Sequence, residues 1–443
     1  MNRREFLKGS VLSTLWAAGG CAGFPAITSV KSPNSLLRHA AFGTANMAGY
    51  DISQFATYEG VEMAAFCDVD ADYLAAVGKK FPKAKLYRDW RELFEKEGDA
   101  IDSVNVSIPD HNHVAVASEA MRRGKHVYLQ KPLCKTLGEA ARLRDLAKSS
   151  GVVTQMGNQL FACAADRETV AILRSGALGP VERAVLFSTR GGASRKFRYL
   201  PAPAKAPETL DWTLWLGSAA PRPYAPEVYH PLIWRVWRDL GSGWIGDLGA
   251  HVFASLWLGM DLGPTGCTDV RAETETDCAP GLADRVWPTA SHIVWNFPGV
   301  AASGGKPFVV EWFDGIDQRD YRLTPAKFRV PAEIDALFAK TPEGKRPFEG
   351  KAIRCREGWI LQPHSGDLHV TVIRDDGKPF ARPALEAVPS HWHEFLDRAR
   401  DGKRASTDFS WSTWMTEALI HGGEAQKNPG RMLIWNTATR TLA

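Results

Sequence analysis

The feature that most constrains this chain is a regular alternation of short apolar strands and helices over residues 36–156. The segments 36–42, 61–67, 86–87, 102–108, 126–129 and 152–156 read as strands. Helices fill the gaps: one running through Phe55, one over 72–81, one from Trp90, one ending at Arg123, and one opened by Thr136 and Glu139 as a capping box. Strands this apolar, separated by helices, need cover on both faces, which a doubly wound parallel sheet provides. In such a sheet ligands bind at the carboxyl ends of the strands, so the residues just after each strand are the ones to examine.

The first exit reads Gly43-Thr44-Ala45-Asn46-Met47-Ala48-Gly49. It occupies the place of the G-x-G-x-x-G/A turn, where Gly43 permits the tight bend and Asn46 and Met47 open a helix toward a pyrophosphate. Ala45 replaces the middle glycine and is expected to crowd that pyrophosphate. The second exit is Asp68, at the distance where a carboxylate binds ribose hydroxyls. Asp68 would repel a 2′-phosphate, which favours NAD over NADP; its bland alternative is a cap on the next helix. Ser107, Pro109 and His113 follow the fourth strand and should border the cofactor, although His113 could equally be satisfied by backbone. The fifth strand ends in Gln130-Lys131-Pro132. Lys131 is either a proton-relay partner and hydrogen-bond donor or a solvated lysine at a strand end. Asn158, in Gly157-Asn158-Gln159, closes the series as another cofactor contact.

Beyond residue 157 the pattern changes. A longer strand is expected over 181–190, and later segments at 291–297, 307–313 and 369–373 look antiparallel, with turn signals such as Asp375-Asp376-Gly377 separating them. Helices over 391–400 and 411–426 and a strand over 431–435 end the chain. The expected organisation is α/β plus α+β: a Rossmann domain at 36–157, and a substrate and oligomerisation domain at 158–443 whose last segments pack back on the first. Within 229–251, Tyr229, His230 and Arg235 are plausible substrate contacts by position. Asp247 and His251 are four residues apart and share a helix face, so the carboxylate could orient and tune the imidazole. A core histidine or a surface pair is the alternative. No metal-ligand spacing is present.

Residues 1–35 read as a signal peptide and linker. Arg3-Arg4-Glu5-Phe6-Leu7-Lys8 precedes an apolar run at 11–18, too short for a permanent span and similar to a twin-arginine export signal. A periplasmic location is expected, with a lipid anchor at Cys21 as a variant and no transmembrane span in the mature form. Formal net charge is +4, of which Arg3, Arg4 and Lys8 against Glu5 supply +2, so nothing calls for a nucleic-acid partner. Seven cysteines are too few for a disulfide scaffold, but Cys267 and Cys278 flank a loop and could pair in an oxidising compartment.

The motifs Ser107-Ile108-Pro109-Asp110-His111-Asn112-His113, Gly124 to Pro132, Gly157-Asn158-Gln159 and Gly246-Asp247-Leu248-Gly249-Ala250-His251 resemble those of the Gfo/Idh/MocA oxidoreductases. The resemblance runs from Leu36 to the C-terminus. It implies a Rossmann domain followed by a domain on a large, mainly antiparallel sheet, a nicotinamide cofactor, and a sugar or cyclitol substrate. The family's Glu-Lys-Pro maps to Gln130-Lys131-Pro132, which keeps the lysine and loses the neighbouring negative charge. Its Asp-x-x-x-His helix maps to Asp247 and His251. The implied activity is NAD-dependent oxidation of a sugar or glycoside hydroxyl, with His251 as base, Lys131 bonded to the reacting oxygen and Asp247 orienting His251. A redox-neutral glycosidase and a non-catalytic NAD- or sugar-binding sensor are the alternatives. An exposed face of the large sheet would favour a homo-oligomer.

Overall fold

The computed structural model describes residues 36–189, 202–315, 325–364 and 370–443. The export-signal reading and Cys21 lie outside the described residues, as does Arg190 at the end of the expected strand.

The first sheet is assembled from β1 (Leu37–Phe42), α1 (Met47–Phe55), β2 (Val61–Cys67), α2 (Ala71–Lys80), β3 (Lys85–Tyr87), α3 (Trp90–Glu97), β4 (Ser103–Val106), α4 (His113–Arg122), β5 (His126–Gln130), α5 (Leu137–Ser150) and β6 (Thr154–Gly157). All six strands run parallel in the order β3-β2-β1-β4-β5-β6. The order reverses between β1 and β4, so the crevice expected of a doubly wound sheet opens at their carboxyl ends. Helix starts follow the sequence signals. Asp70 and Asp89 cap α2 and α3, and Thr136 and Glu139 form the reciprocal capping box of α5.

The chain then runs through α6 (Ala164–Ser175), β7 (Val181–Ser188), α7 (Trp212–Leu216), α8 (Gly243–Asp247), α9 (Gly249–Gly259), β8 (Asp269–Glu275), β9 (Ala290–Phe297), β10 (Phe308–Asp314), α10 (Ala332–Phe338), β11 (Glu349–Cys355), β12 (Gly358–Pro363), β13 (Thr371–Arg374), α11 (His391–Asp401), α12 (Phe409–Lys427), β14 (Met432–Asn436) and β15 (Thr441–Leu442). The second sheet has nine strands in the order β13-β12-β11-β7-β10-β9-β8-β14-β15. It is antiparallel except at β7–β10, which pair in parallel, so the 307–313 segment is antiparallel to β9 as expected and parallel to β7 on its other side. α9 and α12 carry buried residues almost all round, as helices clamped between other elements must. α11 lies against α1, bringing Trp392 to the Rossmann domain.

Two other features position the site. The stretch around α7 crosses the mouth of the first sheet: Leu210 bridges to Asp70, and one Arg88 nitrogen donates to the carbonyls of Val69 and Thr209 at 2.8 Å each. The expected Cys267–Cys278 bridge is absent. Cys267 is buried beside His421, with Sγ 3.4 Å from Nδ1, whereas Cys278 packs on a separate aromatic cluster around Trp237. Two thiols in different cores cannot be joined without moving backbone. No helix among the described residues is long and apolar enough to cross a membrane.

Candidate active site

The nucleotide turn forms despite Ala45. Gly43 has φ of 86°, and a Cβ there would lie 2.4 Å from the Ser107 carbonyl oxygen, so only glycine fits between β1 and β4. The second strained position falls on Asn46, at φ 53°, a residue type that tolerates the left-handed region. Asp68 is locked in place: Oδ2 accepts from the Thr44 amide and hydroxyl at 2.8 Å each, and Oδ1 accepts from the Asp70 amide at 3.0 Å. Burial pushes its carboxyl up, and those donors oppose the shift. A cavity of about 1200 Å³, counting the space open to solvent at its mouth, runs from Asp68 past Gly43 and Ser107 to Gln130, Lys131 and Arg235. Its size suits an extended dinucleotide.

At the Lys131 end, the Nζ ammonium donates to Asp247 Oδ1 at 2.5 Å, and Arg235 Nε stands 3.5 Å from the same oxygen. Burial would raise the Asp247 carboxyl, but Lys131 and Arg235 together outweigh it and hold it well below the usual carboxylate range. Asp247 therefore serves Lys131. No hydrogen bond from Asp247 to His251 is found among the described residues, although their charges still act on each other, so the expected orientation by that carboxylate is not seen. Asn158 takes that role. Its Nδ2 donates to the Ala250 carbonyl at 3.1 Å, which leaves Oδ1 to accept from His251 Nδ1. The hydrogen on Nδ1 leaves Nε2 as the basic nitrogen of a neutral ring. Burial first, then the nearby Lys131 and His364 charges, hold the imidazole far below its ordinary pKa, so it is neutral.

Several expected contacts change place. Asn158, assigned to the cofactor, instead holds His251. Tyr229, assigned to substrate, is buried between Trp212 and Trp237, with ring centroids at 5.6 and 5.2 Å. His230 does line the cavity, but beside Asp70 at 3.4 Å, near Asp68 and the ribose end. His113 lines the cavity as expected and is also bound by backbone: Nδ1 reaches the Pro132 carbonyl at 2.9 Å and Nε2 the Ile108 carbonyl at 2.7 Å. Both ring nitrogens face backbone carbonyls, so this ring ties the β4 and β5 exits together. Pro109 and Met47 also line the cavity. Sequence reasoning missed Asp51, a fully buried acid on α1 that accepts from Gln130 Nε2 at 2.9 Å. The signal was present: Asp51 interrupts an apolar face made by Ala48, Ile52 and Phe55.

A parallel sheet whose switch point carries a glycine turn, and whose second strand ends in a half-buried carboxylate, defines a dinucleotide-binding protein. Residues 37–158 match the family described as "Oxidoreductase family, NAD-binding Rossmann fold", so this first domain is similar to that of the Gfo/Idh/MocA oxidoreductases. A protein of Solibacter usitatus named as a glycosyl hydrolase family 109 protein is 29% identical over 226 residues, 45% of this chain and 51% of its own length. An alpha-N-acetylgalactosaminidase of Shewanella oneidensis is 30% identical over 172 residues, 33% of this chain and 37% of its own. The matches thus span about half of the first relative and about a third of the second. Among solved structures, the WlbA dehydrogenase of Bordetella pertussis, in complex with NADH and UDP-GlcNAcA, superposes with TM-score 0.60 at 12% identity, covering 90% of this chain and 99% of that one. The cofactor of this family is NAD, and the residues here fit it: Gly43 leaves room for a close backbone approach, α1 presents its N-terminus, and Asp68 offers a carboxylate that a 2′-phosphate would meet unfavourably.

Proposed function

We propose that the protein oxidises a hydroxyl of a sugar or glycoside with NAD held in the crevice between β1 and β4. The observation that carries this reading is the meeting of Lys131, Asp247 and Arg235 at one end of the cavity, with a neutral His251 on the next helix. Bound NAD supplies the hydride acceptor. His251 Nε2 takes the hydroxyl proton, because an alcohol surrenders hydride poorly until that proton leaves. Lys131 donates to the same oxygen and steadies the negative charge that develops there, and Asp247 keeps the ammonium aimed. Asn158 fixes the tautomer that makes His251 a base. Proton transfer of this kind contributes about a hundred- to ten-thousandfold.

The names of the two relatives favour a second reading on the same residues. A ketone at C3 of a glycoside acidifies the C2 proton, so that proton and the aglycone can be eliminated; water then adds across the C1–C2 double bond, and return of the hydride restores the C3 alcohol with no net redox change. Recycling of this type suits the periplasmic location that we propose from the twin-arginine pattern, since the cofactor would stay bound.

The test is incubation of the purified protein with nitrophenyl α- and β-glycosides and free sugars, without added NAD, following aglycone release and nicotinamide absorbance together. Reduced nicotinamide or a ketosugar without release supports the oxidoreductase. Release with little net reduction, lost in Lys131→Ala, supports the glycosidase. Neither signal with any substrate, in protein carrying stoichiometric NAD, would leave a sensor. Near-normal turnover in Lys131→Ala would refute the role given to that residue.

A further inference from the structure

Behind the wall of the NAD cavity sits a carboxylate that the reaction above does not use. Asp51 lies in the middle of α1 with no solvent exposure. Oδ2 accepts from Ser107 Oγ at 2.7 Å and from Gln130 Nε2 at 2.9 Å, and Oδ1 accepts from Trp392 Nε1 at 2.9 Å and from Gln130 Nε2 at 3.2 Å. The direction of these bonds is fixed by their surroundings. Asn105 Nδ2 donates to Ser107 Oγ at 2.9 Å, so the serine hydrogen goes to Asp51. The Lys131 amide donates to Gln130 Oε1 at 3.2 Å, so the glutamine amide nitrogen faces Asp51. An indole nitrogen only donates. Every neighbour therefore supplies a hydrogen, and a protonated carboxyl would have none of them to donate to. The geometry selects the ionised form.

Asp51 forms no ion pair among the described residues. The charged group that faces it is Lys131, already engaged by Asp247. Tyr128, on β5 beside it, is a buried phenol pushed up by burial and by Asp51 itself. Burial pushes the Asp51 carboxyl up to about 6, its donors and Lys131 opposing, so it still carries charge above neutral pH. Ser107 and Gln130 both line the cavity, which places this charge one side chain behind the wall.

We propose that Asp51 is a positioning residue whose fixed negative charge biases the bound cofactor toward NAD⁺ over NADH. The nicotinamide ring is cationic only when oxidised, so a buried anion behind the wall at the Lys131 end stabilises one redox state selectively. Gln130 couples the two: it is neutral, and it hands its amide to Asp51, so a single carboxylate stands where a Glu at position 130 would bring a second into repulsive contact. The proposal rests on the cavity being the NAD site and is independent of which sugar reacts.

The experiment titrates the purified full chain, cleared of nucleotide, separately with NAD⁺ and NADH at pH 8, reading tryptophan fluorescence. Asp51→Asn is expected to lower the preference for NAD⁺ over NADH by about tenfold, the effect of one charge roughly 10 Å away at an effective dielectric of about 20. The exchange Asp51→Asn with Gln130→Glu returns the charge to the other end of the same hydrogen bond and is expected to restore most of the preference. An unchanged ratio in Asp51→Asn, or a loss that the exchange does not repair, overturns the proposal. Should Asp51→Asn not fold, the exchange variant decides alone: a ratio near the wild-type value supports the proposal and a tenfold lower one overturns it. A wild-type chain that binds neither nucleotide would overturn the cofactor site itself, an outcome distinct from an unchanged ratio.

Discussion

Lowering the pH should unfold this protein near pH 5, and the structure supplies the magnitude. Burial holds His39, His111, His126 and His391 at about 4 and His421 at about 3, against an ordinary value near 6.5. His39 is enclosed between Ser103 Oγ and Asn105 Oδ1, and His126 Nδ1 accepts from the Val153 amide at 3.0 Å, a bond that protonation would break. Each folded-state pKa is depressed, so below pH 6.5 the unfolded chain binds more protons and stability falls as pH drops toward 4. By linkage each imidazole costs about 2 kcal/mol at pH 5 relative to pH 8, about 10 kcal/mol for the five. Asp51 and Asp314 act in the opposite sense. Burial raises both to about 6, so they take up protons in the folded state first and return about 3 kcal/mol together over the same range. The histidines win by about 7 kcal/mol, comparable to the whole stability of an ordinary domain. Far-UV circular dichroism and tryptophan fluorescence from pH 8 to pH 4 would follow the transition. His251 is already neutral above it, so turnover should fall together with the folding signal and not ahead of it. A native spectrum and an unchanged melting temperature at pH 4.5 would refute the reasoning.

Two substitutions test the site more locally. Asn158→Ala frees the His251 tautomer while leaving the cavity wall intact, so kcat should fall about a hundredfold with NAD affinity unchanged; a matching loss of NAD affinity would instead return Asn158 to the cofactor. Gly43→Ala places a methyl against the Ser107 carbonyl, a backbone atom that cannot swing aside, and should abolish NAD binding and lower stability by about 1–3 kcal/mol in a thermal melt.

The parts of the fold that were legible in the sequence are those whose cause is local. Apolar runs at strand length, Asp89 and Thr136 at helix starts, and Gly43 at a turn that only glycine can make all act within a few residues; the cap of α2 is Asp70, two residues past the Asp68 that the sequence offered for it. The site residues were recognisable as types, but their pairings were not. Lys131 meets Asp247 from 116 positions away, His251 meets Asn158 from 93, and Gln130 meets Asp51 from 79. A helix periodicity run through Gly246-Asp247-Leu248-Gly249 puts Asp247 and His251 on one face, but it does not reveal that the acid's hydrogen bond goes to Lys131 and the imidazole's to Asn158. β11 escaped notice for a similar reason. Its Lys351 reads as a surface residue, yet it is fully buried because Asp166 on α6 reaches Nζ at 3.3 Å and Ser255 on α9 accepts a hydrogen from it.

These long-range pairings decide the division of labour at the site. Two cations, Lys131 and Arg235, share the one carboxylate of Asp247, so that corner has an excess of positive charge before substrate arrives. The same excess lies close enough to His251 to disfavour a second proton on its ring. An oxygen losing its proton would complete the charge balance that Asp247 leaves open, and the imidazole that receives the proton is the one group there with an unprotonated nitrogen. Asp247→Asn should therefore do more than loosen Lys131. With no anion beside it, the cationic corner would push the His251 imidazole down further, and the alkaline shift of activity normally expected on losing a catalytic acid should be absent. A pH–rate profile of Asp247→Asn whose acidic limb does not move to higher pH, with kcat reduced at every pH, is the expected result; an acidic limb moved to higher pH would refute the reasoning.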